Sequence, residues 1–452
     1  MIVCKFGGTS VGDAEAIRRT ASIVQSRLDK QPIVVVSALG GATNQLLALA
    51  EQASRGQLIG ALRAVQALRD RHMQEAGSLL GSGDGANDVT GELSGMLDEL
   101  ASLAEALSVL GHITPRSLDA VAALGEQMSS HLVTAAFRCV GLPAVHVDAR
   151  KVMITDEQFT RAEPQPDAIA EAARQHLLPL VRDGKVPVLG GYIGATAKGG
   201  ITTTLGRGGS DYSASLLGAA VKAESIEIWT DVDGMLTADP RVVQAARTIE
   251  QVGFEEASEL ASFGAKVLHP YTIAPAVLIG IPVWILNSRN AAGRGTLITF
   301  DAPKRAVTAI AGKTDVTLVK VRSPRMLLTE GFLRELFGTF ERHKTSVDVV
   351  STSEVSVSVT VDDATRLDEL MGDLRQLGDV AIERNRGIVA LVGAALSEHP
   401  NAMSRALAAT GETRLHMLSL SATGINLTMV VDSEDVQPLM QRLHAAFFEE
   451  PH

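Results

Sequence analysis

At 452 residues the chain is too long for one ordinary core and should hold two or three domains. An apolar content of 46% with 21% charged residues is a normal globular balance, and a net charge of −11 without any basic run argues against a nucleic-acid partner. Cys4 and Cys139 offer neither a disulfide framework nor metal-ligand spacing, and apolar neighbours predict that both are buried; with no signal-peptide pattern and no bilayer-length apolar run, a reducing cytoplasm is expected and a membrane is not.

In chain order, residues 2–6 predict a short apolar strand, broken by Gly7-Gly8-Thr9-Ser10 and followed by a helical pattern from Asp13 to Leu28. Ile33 to Ser37 predicts a second strand, ending in the turn Gly40-Gly41-Ala-Thr-Asn44 before another helix. Strand, glycine turn and helix in repetition are the grammar of a parallel sheet that binds ligands at the carboxyl ends of its strands. Neither turn fits a named nucleotide motif. Lys5, just before the first glycine pair, is either a point charge for phosphate or a solvated strand end.

From Ala61 to Leu110 the pattern is helical, interrupted by Gly81-Ser-Gly-Asp-Gly85, which reads as a connector between antiparallel helices. Pro115 opens a further helix running through Arg138, with Leu118, Ala122, Gly125, Ser129 and Leu132 as its small-to-apolar stripe. Glu126 sits on the edge of that stripe, as a solvated flank or as a carboxylate aimed into a site. Val145–Ala149 and Lys185–Gly194 are further strands.

The densest stretch is Thr202-Thr-Thr-Leu-Gly-Arg-Gly-Gly-Ser-Asp211. Its glycines can turn backbone N–H groups onto an anion, Arg207 supplies a fork for a carboxylate or phosphate, and the alanine-rich helix that follows points its positive end the same way. Ile226–Asp231 is a strand ending in the acidic turn Asp231-Val-Asp-Gly234, which suits a nucleotide or Mg²⁺ environment or is plain Asp-Gly turn chemistry. Lys266 stands alone in the apolar run Phe263–Pro270, and Ile281–Leu286 is the last strand of this half.

After about residue 300 the glycine loops give way to strand–helix–strand–strand. Leu318–Val321, a helix at Gly331–His343, Val347–Val350 and Val355–Val361 form one unit. Leu391–Gly393, a helix near Met403–Thr410, His416–Leu420 and Ile425–Val431 form another, and Asp362 and Asp432 close corresponding strands. The pattern predicts two copies of a small α+β module with a regulatory or dimerising role.

Lys5-Phe-Gly-Gly-Thr-Ser-Val11 resembles the N-terminal signature of the aspartate kinase family. The 202–211 stretch, Trp229–Gly234, Asp239-Pro-Arg241 and Phe263–Pro270 resemble further motifs of that family in its order. The similarity continues through Met326–Leu333 and Ser346–Glu354, nearly the whole chain, and looks most like the monofunctional lysine-sensitive branch. It implies an α/β fold: an amino-acid-kinase domain, carbamate-kinase-like, with a parallel sheet between helical layers over 1–300, then two α+β, ferredoxin-like ACT domains over 315–385 and over 301–314 plus 386–452.

The implied reaction is phosphorylation of the β-carboxylate of L-aspartate by ATP with Mg²⁺ and no protein-held metal, the first step towards lysine, threonine and methionine. By matching motif, Lys5 would contact the transferring phosphoryl and Asp211 would organise that lysine. Glu126 and Arg207 would bind the substrate's amino and α-carboxylate groups, with Thr43 and Ser210 nearby. Gly7, Gly8, Thr230, Asp231, Leu236, Arg241 and Lys266 would complete the nucleotide site with Lys5. Met326, Thr329, Phe332, Leu333, Ser346, Val347, Asp348, Thr352 and Glu354 would form an effector pocket, with lysine favoured over threonine because Asp348 and Glu354 suit a cation. Assembly as a homodimer through the ACT domains, or as a tetramer, is implied as well.

The chain departs from the family pattern at Leu39, Tyr192, Leu236, Leu328 and Glu330. Leu236 removes a ring beside the nucleotide but no charge, so activity is expected to survive. A kinase for another small carboxylate such as glutamate, and a non-catalytic amino-acid sensor, stand as alternatives; the paired modules, Glu126 with Arg207, and the intact Lys5, Asp211 and Lys266 weigh against them.

Overall fold

The computed structural model describes residues 1–81, 84–206, 208–263, 270–327 and 330–449, with side chains for all of these except 84–86 and 270. It divides into two compact units, Met1–Met235 with Val267–Phe300, and Leu236–Lys266 with Asp301–His452. In this division Leu236–Lys266 groups with the later part of the chain.

In the first unit, β1 (Ile2–Phe6) leads through a glycine turn to α1 (Ala14–Gln25), which Asp13 caps by accepting from the Ala16 N–H at 2.8 Å. Next come β2 (Pro32–Val36), α2 (Ala42–Ser54), the long pair α3 (Leu58–Leu80) and α4 (Asp84–Leu110), and α5 (Pro115–Cys139), opened by Pro115 with a Thr114 cap. The chain continues through β3 (Ala144–His146), β4 (Ile154–Thr155), α6 (Pro166–His176), α7 (Leu178–Arg182), β5 (Val186–Gly190), β6 (Ile193–Thr196), β7 (Thr202–Thr204), α8 (Gly209–Val221) and β8 (Ser225–Thr230). Val283–Asn287 and Thr296–Ile298 complete the unit's main sheet, ordered β3-β5-β2-β1-β8 and then these two.

β1 lies at the centre, parallel to β2 on one side and to β8 on the other. All five residues of β1, β2 and β5 are buried, as expected of parallel strands covered on both faces. This topology puts Gly7-Gly8, Ser37, Gly191 and Thr230–Asp231 together at one edge of the sheet, where the order of connections reverses beside β1. The strand with a glycine turn expected over 185–194 is β5, closed at Gly190-Gly191 and followed by β6 in a different sheet, and Thr202–Thr204 is a strand of the small sheet β4-β6-β7. Cys4 is buried as expected, but Cys139 is exposed, because it ends α5 on the outward side.

The second unit carries an antiparallel sheet ordered Val350–Thr352, Ser356–Val361, Ala309–Arg322, Asp379–Val392, Asn426–Asp432, Met417–Leu420. The two central strands are 14 residues each, longer than their sequence patterns suggested, because each serves two modules in turn. Register shifts between Lys313 and Leu318 mark the crossover, and positive φ falls there on Asp315 (64°) and Asn385 (56°), residue types that tolerate it. One apolar core, with Val319, Phe332, Leu336 and Leu370, lies beyond the crossover in one direction; a second, with Leu391, Leu427, Met429 and Leu439, lies in the other. The strand expected at 347–350 begins only at Val350.

Candidate active site

Lys5 is the fourth residue of β1 and is 8% exposed. Asp211 pairs with its ammonium, Nζ to Oδ1 at 2.6 Å, which offsets the cost of placing it there. Asp211 stands in the first turn of α8, where the helix N-terminus favours a carboxylate. The pair opens onto a cavity of about 550 Å³, whose lining also includes Gly8, Gly41, Thr43, Glu126 and Ser210. The Gly8 and Gly41 N–H groups find no acceptor among the described residues, which leaves two donors for an anion.

Glu126 reaches the same cavity from α5 and is 3% exposed. Burial pushes its carboxyl up to about 8, offset only in part by a hydrogen bond from the Ala38 N–H. Its Oε2 has no hydrogen-bond partner, so one oxygen of this buried acid is left for a cation or donor from outside. Gly191 lets the chain pass close beneath: a Cβ there would lie 2.9 Å from the Ser210 Cα. Leu39 also lines the cavity, fully buried.

Two non-glycine residues on the cavity wall have left-handed backbones, Thr160 (φ 72°) and Tyr192 (φ 67°). For a β-branched threonine this costs on the order of 1–3 kcal/mol and persists only where the surroundings impose it. Asp119, 1% exposed and two turns before Glu126 on α5, supplies that constraint. It accepts from the Thr160 N–H at 2.9 Å, the Thr204 N–H at 3.1 Å and the Thr204 hydroxyl at 2.7 Å. Asp119→Ala would leave both N–H groups and the Thr204 hydroxyl without their acceptor. We expect it to destabilise the protein by about 2 kcal/mol, read as a lower urea midpoint; an unchanged midpoint would contradict the role.

Of the residues singled out from sequence, Lys5, Gly8, Thr43, Glu126, Ser210 and Asp211 meet in the one cavity. Gly7 turns the end of β1, donating to the Trp229 carbonyl at 3.0 Å. Thr230 and Asp231 end the adjacent β8, with the Thr230 hydroxyl 3.3 Å from Asp231 Oδ1. Arg207 and Lys266, like Leu328 and Thr329, lie outside the described residues. Leu236 and Arg241 belong to the second unit, where the exposed Arg241 pairs with Asp239 at 2.6 Å. Asp119, Thr160 and Asn44 escaped the sequence reading. Asp119 could have been found as a second acid on the buried face of the Glu126 helix, whereas Thr160 carries no local signal.

Of the effector candidates, Met326 is half-buried in a short turn and Phe332 is buried in the module core, while Leu333, Ser346, Thr352 and Glu354 are exposed and Val347 is half-buried. Asp348 is held by Lys313, whose Nζ lies 3.0 Å from it and 2.7 Å from Asp362. Partial burial pushes the Asp348 carboxyl above the usual carboxylate range; the Lys313 ammonium opposes this and Asp362 adds to it.

The model of the amino acid kinase family matches residues 1–287. The lysine-sensitive aspartokinase 3 of Escherichia coli is 39% identical over 458 residues, covering 99% of each chain. The chloroplastic aspartokinase 2 of Arabidopsis thaliana is 34% identical over 99% of this chain and 84% of its own. Among solved structures, E. coli aspartokinase III in complex with aspartate and ADP (R-state) superposes with a TM-score of 0.86 at 39% identity, over 99% of this chain and all of that one. The same enzyme in complex with lysine and aspartate (T-state) gives 0.84. With this match along its length, and with the glycine turns, buried acid and lysine–aspartate pair at the carboxyl edge of its sheet, the chain belongs to the amino acid kinase family and, within it, to the aspartokinases.

Proposed function

We propose that this protein is an aspartate kinase, transferring the γ-phosphoryl group of ATP to the β-carboxylate of L-aspartate, and that lysine feeds back on it through the second unit. The observation that carries the reading is Glu126, a buried carboxyl whose Oε2 is left without a partner, in one cavity with the Lys5–Asp211 pair. An amino-acid substrate brings the missing cation, its α-ammonium. Thr43 and Ser210 line the wall beside it, and Arg207 takes the α-carboxylate by family motif.

The β-carboxylate is already a nucleophile, so the protein need not abstract a proton. Catalysis then comes from alignment and from charge placed where the phosphoryl group moves. Lys5 supplies that charge, fixed in direction by Asp211, and the Gly8 and Gly41 N–H groups donate to phosphate oxygens. Gly7, Thr230 and Asp231 continue the nucleotide site, to which the family motifs also assign Leu236, Arg241 and Lys266. Mg²⁺ would arrive on ATP and keep most of its waters. The metal would neutralise phosphate charge while the protein's own residues orient the substrates.

The catalytic domain is assigned to 1–300, the first ACT domain to 315–385 and the second to 301–314 plus 386–452; the two apolar cores on either side of the strand crossover support the division of the regulatory part. Homodimer assembly is assigned to these modules, and the cytoplasm to the enzyme, consistent with two free cysteines. Among the described residues no helix is long and apolar enough to cross a membrane.

A coupled assay of ADP release tests both parts. ADP should form only when L-aspartate is added, and lysine should lower the rate. Glu354→Gln should weaken lysine inhibition about tenfold, as loss of one charge-assisted hydrogen bond does. Insensitivity of the wild-type enzyme to lysine would remove the effector assignment; aspartate-independent ADP release would remove the substrate.

A further inference from the structure

The helix pair α3–α4 carries no residue of the cavity, yet one side chain of α3 reaches both glycine turns behind it. Arg71 donates from Nη1 to the Gly40 carbonyl at 2.8 Å and from Nη2 to the Gly12 carbonyl at 2.9 Å. The two turns also touch each other: a Cβ on Gly8 would lie 3.5 Å from the Gly40 Cα, and one on Gly40 would lie 3.2 Å from the Gly8 carbonyl oxygen. A turn later on α3, Glu75 accepts from the Ala14 N–H at 2.6 Å and fixes the start of α1.

We propose that Arg71 is a positioning residue that holds the anion-binding turns in their working orientation. A trans peptide points its carbonyl and its N–H in opposite directions. Pinning the Gly40 carbonyl to the guanidinium at the back therefore aims the Gly41 N–H away from α3, and Gly41 lines the cavity with that N–H unclaimed. Glycine at 41 sits at φ 81°, so without the guanidinium this peptide has little else to stop it flipping. A planar fork suits the task because it can reach two carbonyls at once, which the single ammonium of a lysine does less well. Arg71 acts through the turns and does not touch the reacting atoms. The inference deepens the phosphoryl-transfer reading of the cavity and rests on it.

The test is kinetic, on full-length Arg71→Ala and Arg71→Lys with aspartate and ATP varied separately. Arg71→Ala should lower kcat/KM for ATP about 30-fold, the scale of a lost charged hydrogen-bond pair. Added guanidinium chloride, kept below denaturing levels, should recover much of that loss while leaving the wild type unchanged. Arg71→Lys should fall between the two, and it decides the matter if the alanine variant does not fold. Folded variants with wild-type kcat/KM, or a loss that guanidinium does not repair and Arg71→Lys does not share, would overturn the proposal. A wild-type enzyme with no aspartate-dependent turnover would instead overturn the reading of the cavity itself.

Discussion

Lys5→Ala should lower kcat by about 10²–10³ while leaving KM for aspartate within a few-fold, because the lost interaction strengthens as charge moves in the transition state. Lys5 is placed for this by its strand: β1 is buried along its whole length, and its carboxyl end faces the cavity rather than the bulk solvent. In that surrounding the ammonium interacts more strongly with a phosphoryl group than an exposed lysine would. Removing it also strands Asp211, whose side chain is only 17% exposed, so part of any loss could reflect a disturbed α8. Asp211→Asn separates the two effects. It keeps the shape and releases the lysine, and should lower kcat less than Lys5→Ala does. An unchanged kcat in Lys5→Ala would remove the lysine from the transfer step.

Glu126→Gln should raise KM for aspartate by about 10²-fold, since a buried charge-assisted contact to the substrate ammonium is exchanged for a neutral one. The wild-type pH dependence follows from the same residue. With its carboxyl pushed up to about 8, free Glu126 is mostly protonated at neutral pH, and the ammonium can pair only with the ionised form. Aspartate binding below pH 8 therefore releases a proton, so apparent affinity should climb as pH rises towards 8, by up to about tenfold per unit, and level off above it. Glu126→Gln should flatten that slope. Stability of the free protein runs the other way. The folded-state value lies above the ordinary 4.5, so the contribution from bound proton is complete below 4.5 and is lost as pH rises through about 8. A slope of equal size in Glu126→Gln would show that another group titrates.

The parallel strands and their glycine turns were legible because each element carries its own signal, an unbroken apolar run closed by glycine. Lys5 and Asp211, far apart in sequence, could be joined only through the family motifs; the structure gives the physical reason, since α8 begins at the edge of the sheet where β1 ends. Glu126 was readable as an acid beside a small-residue stripe, but not its unpartnered Oε2, which depends on what the other elements leave open. The regulatory modules were visible as a repeat, while their merging into two shared 14-residue strands was not, because periodicity shows a strand's pattern and not how many partners it serves. The contacts of Arg71 and Asp119 were illegible for a related reason. Most of their partners are backbone groups 31 to 85 residues away, and a bond to a distant carbonyl or N–H leaves no mark on the local sequence.

The central claim is that this cavity phosphorylates the side-chain carboxylate of aspartate. Trapping the acyl phosphate with hydroxylamine reads that product directly, with L-aspartate, L-glutamate and N-acetylglutamate offered in turn to the wild-type enzyme and MgATP. Hydroxamate should form with aspartate, and should fall sharply with N-acetylglutamate, whose amide gives Glu126 no ammonium. No hydroxamate from aspartate, or an equal yield from the acetylated acid, would contradict the account.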